Sequence, residues 1–194
     1  ICSSRWETLK LASCGKATTR MEVRIDSPDP KTHAGEIVCR GANMMLGYYK
    51  NPEATAQIID VNGWLHTGDL GVMDEEGYVT VRGRSKNMLL TSSGQNIYPE
   101  EIESKLNNMP YVSESLIVLQ HDKLVALIYP DFDDAFAHGL QQTDIEKAME
   151  ANRNELNLLL PAYCQITKVK IHFEEFEKTA KKSIKRFMYQ EAKG

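Results

Sequence analysis

The stretch Gly83-Arg84-Ser85-Lys86-Asn87-Met88-Leu89-Leu90 marks the point at which the sequence changes character. Its first half is basic and polar, and its second half is mainly apolar. It follows a strand-like segment with alternating apolar and polar residues, 77–82, and it precedes a loop of small polar residues, 91–96. We therefore expect two bodies that meet at a hinge at Lys86, the first spanning residues 1–85 and the second 86–194.

Composition limits the class of protein. A chain of 194 residues with 42% apolar and 26% charged residues is typical of globular proteins with one domain or two small ones. A net charge of −4 argues against a nucleic-acid partner. No apolar run reaches the roughly 20 residues of a membrane-spanning helix, so we expect no transmembrane segment. The four cysteines are scattered, which indicates free thiols in a reducing cytoplasm and no metal site.

Before Lys86 the pattern is that of a small β-rich body. Asn51-Pro52-Glu53 supplies a helix cap, a proline for the first helical position and an acid near the positive helix end. It predicts a helix over about 52–60. Alternating runs bounded by glycines and turn residues predict strands over 21–26, 35–41, 69–74 and 78–83.

After Lys86 the pattern becomes that of a compact α+β body. A helix is expected from Pro99 to before Pro110, then a hairpin of strands 115–120 and 123–129, a further strand over 167–173, and a basic helix from about Lys181. Thr143 and Glu146 form a candidate capping box. The helix that follows has an apolar face made by Ile145, Met149, Asn152, Leu156 and either Leu159 or Leu160. A three-stranded sheet with packed helices accommodates these faces, so the predicted fold class is α+β.

Five motifs, in one order and at one spacing, resemble those of the adenylate-forming enzymes, the superfamily of acyl-CoA synthetases, luciferases and peptide-synthetase adenylation domains. They are Gly35-Glu36-Ile37-Val38-Cys39-Arg40-Gly41, Gly47-Tyr48, Thr67-Gly68-Asp69, Gly83-Arg84-Ser85-Lys86 and Tyr98-Pro99-Glu100-Glu101-Ile102-Glu103. The wording G-R-S-K-N-M and the T-S-S-G loop are most similar to the long-chain acyl-CoA synthetases.

The resemblance implies a fold and a reaction. Residues 1–85 would be the β-rich end of a large N-terminal domain, and residues 86–194 a mobile C-terminal lid with its hinge at Lys86. A fatty acid or other carboxylate would attack ATP, with Mg²⁺, to give an acyl-adenylate, and coenzyme A would then displace AMP. Asp69 and Arg84 would bind the nucleotide ribose, for which a carboxylate and a guanidinium are suited. Gly94 would line the coenzyme A channel.

The C-terminus departs from the family pattern K-T-x-x-G-K-I-x-R, whose second lysine assists adenylation. An alignment anchored on Lys178-Thr179 and Arg186 puts Lys182 at the glycine position and Ser183 at the lysine position. A slip of one residue would let Lys182 act, and Lys185 is a second candidate. Lys182, Lys185 or neither therefore replaces the usual lysine.

Parts of a complete enzyme of this family are not found in the sequence. The phosphate loop, the adenine-binding segment and the acyl pocket are missing, and the chain does not begin with methionine. We therefore expect a fragment of a larger cytoplasmic protein that is inactive by itself. An adenylation domain that loads a carrier protein and a degenerate, non-catalytic paralogue stay open as alternatives. Acyl chain length and oligomeric state are not indicated.

Overall fold

The computed structural model describes residues 1–4, 6 and 9–190. The chain divides into two compact units, the first ending at Asn87 and the second beginning at Met88. The first unit is built on a four-stranded sheet and the second on a three-stranded sheet with helices. The predicted α+β fold class is confirmed.

The first unit is mainly antiparallel β-structure. Its elements are β1 (Cys2–Ser3), β2 (Lys16–Ala17), β3 (Met21–Asp26), β4 (Gly35–Gly41), α1 (Pro52–Ile58), β5 (Leu65–Met73) and β6 (Val79–Arg84). Strands β3 to β6 form one sheet in chain order, each antiparallel to the next, and β1 pairs with β2. Ile25, Ile37 and Val79 are buried together in its core. The strand predicted over 69–74 begins earlier, at Leu65, because it continues through an irregularity that sequence alternation does not reveal.

Helix α1 begins as predicted. The Asn51 side chain accepts a hydrogen bond from the Ala54 N–H at 3.0 Å, and Pro52 occupies the first helical position. The helix ends at Ile58, two residues before the predicted end, since Ile59 is extended. There it forms an isolated bridge with Leu65, which leads the chain into β5.

The second unit has its helices and strands interleaved. They are β7 (Leu89–Leu90), β8 (Asn96–Ile97), α2 (Pro99–Leu106), β9 (Val112–Gln120), β10 (Lys123–Pro130), α3 (Phe132–Ala137), α4 (Gln142–Leu159) and β11 (Ile166–Ile171). The larger sheet has the order β11-β10-β9, with β9 antiparallel and β11 parallel to β10, and β7 pairs with β8. The predicted three-stranded sheet and its hairpin are confirmed.

One apolar cluster joins this sheet to the helices. Ile117, Ala126 and Ile128 are fully buried in the same cluster as Leu106 of α2 and Met149 of α4. The predicted inner face of α4 is confirmed, and its end is settled: Leu160 packs against the cluster, whereas Leu159 is 66% exposed.

The start of α4 differs from the prediction. The helix begins at Gln142, and the Asp144 carboxylate accepts a hydrogen bond from the Gln141 N–H at 3.2 Å. The capping contact is therefore made two residues before the predicted pair of Thr143 and Glu146.

A second apolar cluster joins the C-terminal segment to the same strands. Leu116, Val118, Val125 and Leu127 are buried with Phe176, and Ile184 and Tyr189 pack against them. The predicted basic helix from Lys181 is wrong. Lys178 and Ile184 form an antiparallel bridge around a turn, and only a short 3-10 helix, Arg186–Met188, follows. The chain has to reverse between Phe176 and Ile184 so that both can cover one apolar cluster.

The contact between α4 and β11 provides a test of the second unit. The Asn157 side chain accepts from the buried Ile166 N–H at 2.8 Å and donates to the Ile166 carbonyl at 2.9 Å. Asn157→Ala should lower the free energy of unfolding of this unit by about 1–3 kcal/mol, because a buried N–H loses its acceptor. Asn154→Ala, on the exposed side of the same helix, should change it little.

Urea unfolding followed by far-UV circular dichroism measures this, since α2, α3 and α4 all lie in the second unit. Both tryptophans, Trp6 and Trp64, precede Asn87, so their fluorescence reports the first unit separately. Equal unfolding curves for the two alanine variants would contradict the assigned role of Asn157.

Candidate functional site

A β-bulge at Thr67-Gly68-Asp69 shapes the centre of the first unit. Glu36 pairs with Leu70 and Val38 with His66, so the three residues 67–69 stand opposite Ile37 alone. The Thr67 hydroxyl donates to the Ile37 carbonyl at 2.7 Å and accepts from the Asp69 N–H at 3.1 Å. Gly68 has φ +71°, a conformation that glycine adopts at little cost. The backbone of the bulge thus accounts for the Thr67 hydroxyl and for a glycine at position 68.

A second irregularity, between Leu70 and Gly71 in the pairing of β5 with β6, places Asp69 directly opposite Arg84. The Arg84 Nε lies 2.9 Å from the Asp69 Oδ1, and the Arg84 Nη1 donates to the Thr67 carbonyl at 3.2 Å. The side chains of Asp69 and Arg84 are 34% and 52% exposed. The two predicted nucleotide-binding residues are therefore adjacent, oriented by one another and open to solvent on one side.

Glu36 is a supporting residue that the sequence reasoning missed. From the neighbouring strand its Oε1 accepts a hydrogen bond from the Gly68 N–H at 2.8 Å, and its Oε2 lies 2.8 Å from the His66 Nδ1. His66 therefore lies within β5 and has a carboxylate partner on the neighbouring strand. The signal available in the sequence was an acid inside a strand, directly after Gly35, where an apolar residue is more usual.

Lys86, the predicted hinge, directly follows these strands. It lies in a 3-10 turn, Ser85–Asn87, that begins where β6 ends, and it is exposed. The boundary between the two compact units follows this turn. Lys86 thus stands two residues after Arg84 in a segment that belongs to neither sheet.

Gly94, the predicted channel residue, lies in a tight turn between β7 and β8. Its N–H donates to the Thr91 carbonyl at 2.9 Å, and its φ is +78°. A Cβ at this position would meet nothing within 4 Å in this chain. The positive φ therefore accounts for the glycine within the fold, and its outer side is open.

The Gly94 loop is held by the β9–β10 turn. The Asp122 carboxylate accepts from the Ser92 N–H at 2.8 Å and from the Ser92 hydroxyl. His121 and Asp122 both have positive φ, at 49° and 60°, as a two-residue hairpin turn requires. The Ser92 hydroxyl and amide donors lower the pKa of Asp122 below its ordinary value of 3.8.

This contact predicts a pH dependence of the loop. Because the folded pKa of Asp122 is depressed, its stabilising contribution is present above the ordinary value and is lost as the pH falls through the folded pKa. Asp122→Asn should weaken the contact above the folded pKa and remove its pH dependence, because a neutral amide is a poorer acceptor for the Ser92 amide and hydroxyl than a carboxylate.

The measurement is the Ser92 amide shift against pH by nuclear magnetic resonance. The unaltered chain should titrate at acidic pH and Asp122→Asn should not, whereas Glu155→Gln, at an exposed position of α4, should titrate as the unaltered chain does. A Ser92 shift that ignores pH in the unaltered chain would refute the contact.

The lysine-rich segment forms an exposed reversal in the second unit. The Lys182 N–H donates to the Thr179 carbonyl at 2.8 Å, and the Thr179 N–H donates to the Ser183 carbonyl at 2.8 Å. Lys182 has φ +61°, and its side chain is exposed. The Lys185 Nζ lies 3.4 Å from the Glu177 Oε2. Lys182 and Lys185, the two candidate catalytic residues, therefore differ in that only Lys185 has a carboxylate partner within the described part of the chain.

Three features concern chemistry more broadly. All four cysteines are free thiols, as their spacing predicted. Among residues 1–4, 6 and 9–190, no group of three His, Cys, Asp or Glu residues is arranged to hold a metal ion. Within the same residues, none of the helices combines the length and the apolar character needed to cross a membrane.

Comparison with known proteins places this arrangement in a family. Residues 86–192 match the model of the AMP-binding enzyme C-terminal domain. The chain is 33% identical over 198 residues to the 2-methylpropanoate–CoA ligase of Humulus lupulus, covering 95% of this chain and 34% of that protein. It is 40% identical over 119 residues to the 2-succinylbenzoate–CoA ligase of Bacillus cereus, covering 60% of this chain and 24% of that protein.

A solved structure shows the same fold. The O-succinylbenzoate coenzyme A synthetase of Bacillus subtilis, in complex with AMP, has a TM-score of 0.74 and 25% identity, covering 94% of this chain and 36% of that one. The chain therefore spans roughly a third or less of the length of the relatives that it matches.

The α+β fold matches the C-terminal domain of adenylate-forming enzymes. The chain belongs to the AMP-binding enzyme family, and residues 86–192 carry the C-terminal domain of that family.

Proposed function

We propose that this chain is the C-terminal part of an ATP-dependent acid–thiol ligase, which joins a carboxylic acid to coenzyme A through an acyl-adenylate. The observation that carries the proposal is the pair of Asp69 and Arg84, 2.9 Å apart on a β-bulge. Relatives named as CoA ligases support the acceptor, and a relative solved with AMP supports the nucleotide. Residues 1–85 would complete the large domain, and residues 86–194 would be its lid.

The proposed role of the pair is to bind the ribose of ATP and of the adenylate. The ionised Asp69 accepts hydrogen bonds from the two ribose hydroxyls, and the Arg84 guanidinium donates to the same sugar. The hydrogen bonds from the Gly68 N–H to Glu36 and from the Thr67 hydroxyl to the Ile37 carbonyl fix the bulge against β4. The pair is therefore oriented before the nucleotide arrives. Such preorganisation is what makes hydrogen bonds effective in catalysis.

The proposed reaction has two steps. A carboxylate oxygen of the acid attacks the α-phosphorus of ATP, and pyrophosphate leaves. The sulfur of coenzyme A then attacks the acyl carbon, AMP leaves, and the thiol proton is released. Lys86 is the proposed hinge on which the lid turns between the steps, and Gly94 the proposed point at which the pantetheine arm passes the backbone.

Lys182 is the proposed cation for the adenylation step. Its ammonium extends from an exposed turn and has no ion-pair partner among the described residues, whereas Lys185 is engaged by Glu177. The positive φ of Lys182 nevertheless suits the glycine position of the family pattern, with Ser183 at the lysine position. The two alignments of the segment predict different active variants.

The proposed substrate class is the carboxylic acids. The G-R-S-K-N-M wording favours a long-chain fatty acid, but relatives are named for 2-succinylbenzoate and 2-methylpropanoate. A panel containing acids of these three kinds should therefore accompany every assay. A reducing, cytoplasmic setting is proposed on the basis of the four free thiols.

Asp69 and Arg84, the proposed nucleotide clamp, give the first test, in the full-length protein that carries this chain. Asp69→Asn and Arg84→Gln should each lower kcat/KM for ATP by about ten- to a hundredfold, since a hydrogen bond to a charged group contributes roughly 1.5–3 kcal/mol. ATP–pyrophosphate exchange with the panel of acids measures this. Asp26→Asn, an exposed carboxylate on the edge strand of the same sheet, should retain activity.

Residues 1–194 alone should release no pyrophosphate above background, because they lack a phosphate loop and an acyl pocket. Clear turnover by the isolated chain would contradict the proposal that the rest of the full-length protein supplies the phosphate loop and the acyl pocket. Full activity of both clamp variants would contradict the nucleotide site.

The second test separates the candidate lysines. If Lys182 acts, Lys182→Gln should slow adenylation by roughly a hundredfold, the effect of losing one preorganised donor. Lys185→Gln should then change it little, and the double variant Lys182→Gly/Ser183→Lys should restore it. The opposite pattern, in which Lys182→Gln has no effect and Ser183→Lys alone raises the rate, would show that the natural lysine position is vacant.

A further inference from the structure

The exposed reversal at Thr179–Ser183 is carried by a segment that is attached to α2 by a largely buried ion pair. Residues 179–183 are all exposed, while Arg186, three residues beyond, is not. The Arg186 Nη1 donates to the Glu103 Oε1 at 2.8 Å, and the Arg186 Nη2 donates to the Glu103 Oε2. The two side chains are 16% and 9% exposed. This is a two-point contact between a guanidinium and a carboxylate that are 83 residues apart in the chain.

Glu103 serves the sheet at the same time. It lies on α2, and its Oε1 also accepts the Ile117 N–H at 2.7 Å. Strand β9 is at the edge of the three-stranded sheet, so this N–H points away from β10 and needs an acceptor of its own. One carboxylate thus joins α2, β9 and the C-terminal segment.

The sheet requires a hydrogen-bond acceptor at Glu103 but not a negative charge. A neutral amide oxygen would also accept the Ile117 N–H, and an unpaired buried carboxylate is costly. Burial raises the pKa of Glu103, and the Arg186 guanidinium opposes this. The negative charge of Glu103 is therefore balanced mainly by Arg186.

Other contacts at the base of the segment are more exposed or less directional. Lys178 lies 2.8 Å from Glu114 and 3.0 Å from Glu175, and the Tyr189 hydroxyl accepts the Glu177 N–H at 2.8 Å. Phe176 contributes apolar burial before the reversal. After the reversal, Arg186 is the residue whose direction is set by two hydrogen bonds.

We propose that Glu103 is a positioning residue for the lysine-bearing reversal, which it orients through Arg186. The catalytic part of this inference rests on the proposed function, because the reversal carries Lys182 and Ser183. The structural part, in which Glu103 holds the segment through Arg186, does not depend on the proposed function. Glu103 itself touches no reacting atom in this scheme; it fixes where the reversal stands on the second unit.

The test uses a variant that separates the two tasks of Glu103. Glu103→Gln keeps an oxygen for the Ile117 N–H and the Arg186 Nη1 but places an amide NH₂ against the Arg186 Nη2. The attachment thus loses its negative charge and one of its two hydrogen bonds, while Glu100 stays 3.9 Å from the Arg186 Nη2. Arg186→Lys keeps the positive charge with a single donor group and should give an intermediate result. Glu146→Gln, at an exposed position of α4, is the matched control.

The first readout is hydrogen exchange in the unmodified chain and its variants. Glu103→Gln should raise amide exchange of residues 183–189 by about tenfold, the loss expected for charge-assisted hydrogen bonds. Amides of β9, β10 and β11 should keep their protection, which shows that the unit is folded. Unchanged exchange at 183–189 would overturn the attachment.

The second readout is kinetic, in the full-length protein. Glu103→Gln should lower kcat for adenylation by roughly ten- to a hundredfold, the effect of a misplaced group, with KM for ATP nearly unchanged. Arg186→Lys should recover part of this rate, and thioester formation from supplied acyl-adenylate should not change. Loosened exchange with full adenylation rate would overturn the positioning role. If the unaltered protein forms no adenylate, the proposed function fails, and exchange alone decides whether Glu103 holds the reversal.

Discussion

The candidate site depends on two irregularities of β5: three of its residues stand opposite Ile37 of β4, and its pairing with β6 shifts between Leu70 and Gly71. A regular strand would alternate its side chains and would separate Thr67, Gly68 and Asp69 onto two faces. The bulge instead turns the Thr67 hydroxyl and the Gly68 N–H toward β4, where a carbonyl and the Glu36 carboxylate bind them. Asp69 is then left to face Arg84, and the chemistry of the first unit follows from that pairing.

Local patterns were sufficient for much of the fold. Period-2 alternation and glycine boundaries predicted strands of the first unit, and the apolar spacing of α4 predicted its buried face, including the polar Asn152. The motifs that resemble a known family predicted the residues that meet in the first unit, Asp69 and Arg84. Glu36 was not predicted as their support, since its partners lie some thirty residues away and no short pattern joins them.

The C-terminal segment shows where local reasoning fails. A run of lysines without glycine or proline favours a helix by propensity, and the sequence was interpreted in that way. The structure instead reverses at Lys182, in a left-handed conformation that lysine rarely adopts. The reversal follows from distant partners, namely the apolar cluster around Phe176 and the buried acid on α2. Such tertiary contacts override propensity, and they cannot be read within a short window.

The bond from the Ile117 N–H to Glu103 also affects how the second unit behaves among other chains. An outermost strand offers unpaired amides that can recruit a strand from a neighbour and so begin aggregation. On β9 the central one of these amides is already occupied by a side chain of its own molecule. A carboxylate in that place also repels an incoming backbone carbonyl. The sheet is thereby shielded against edge-to-edge growth at its middle, independently of any catalytic role.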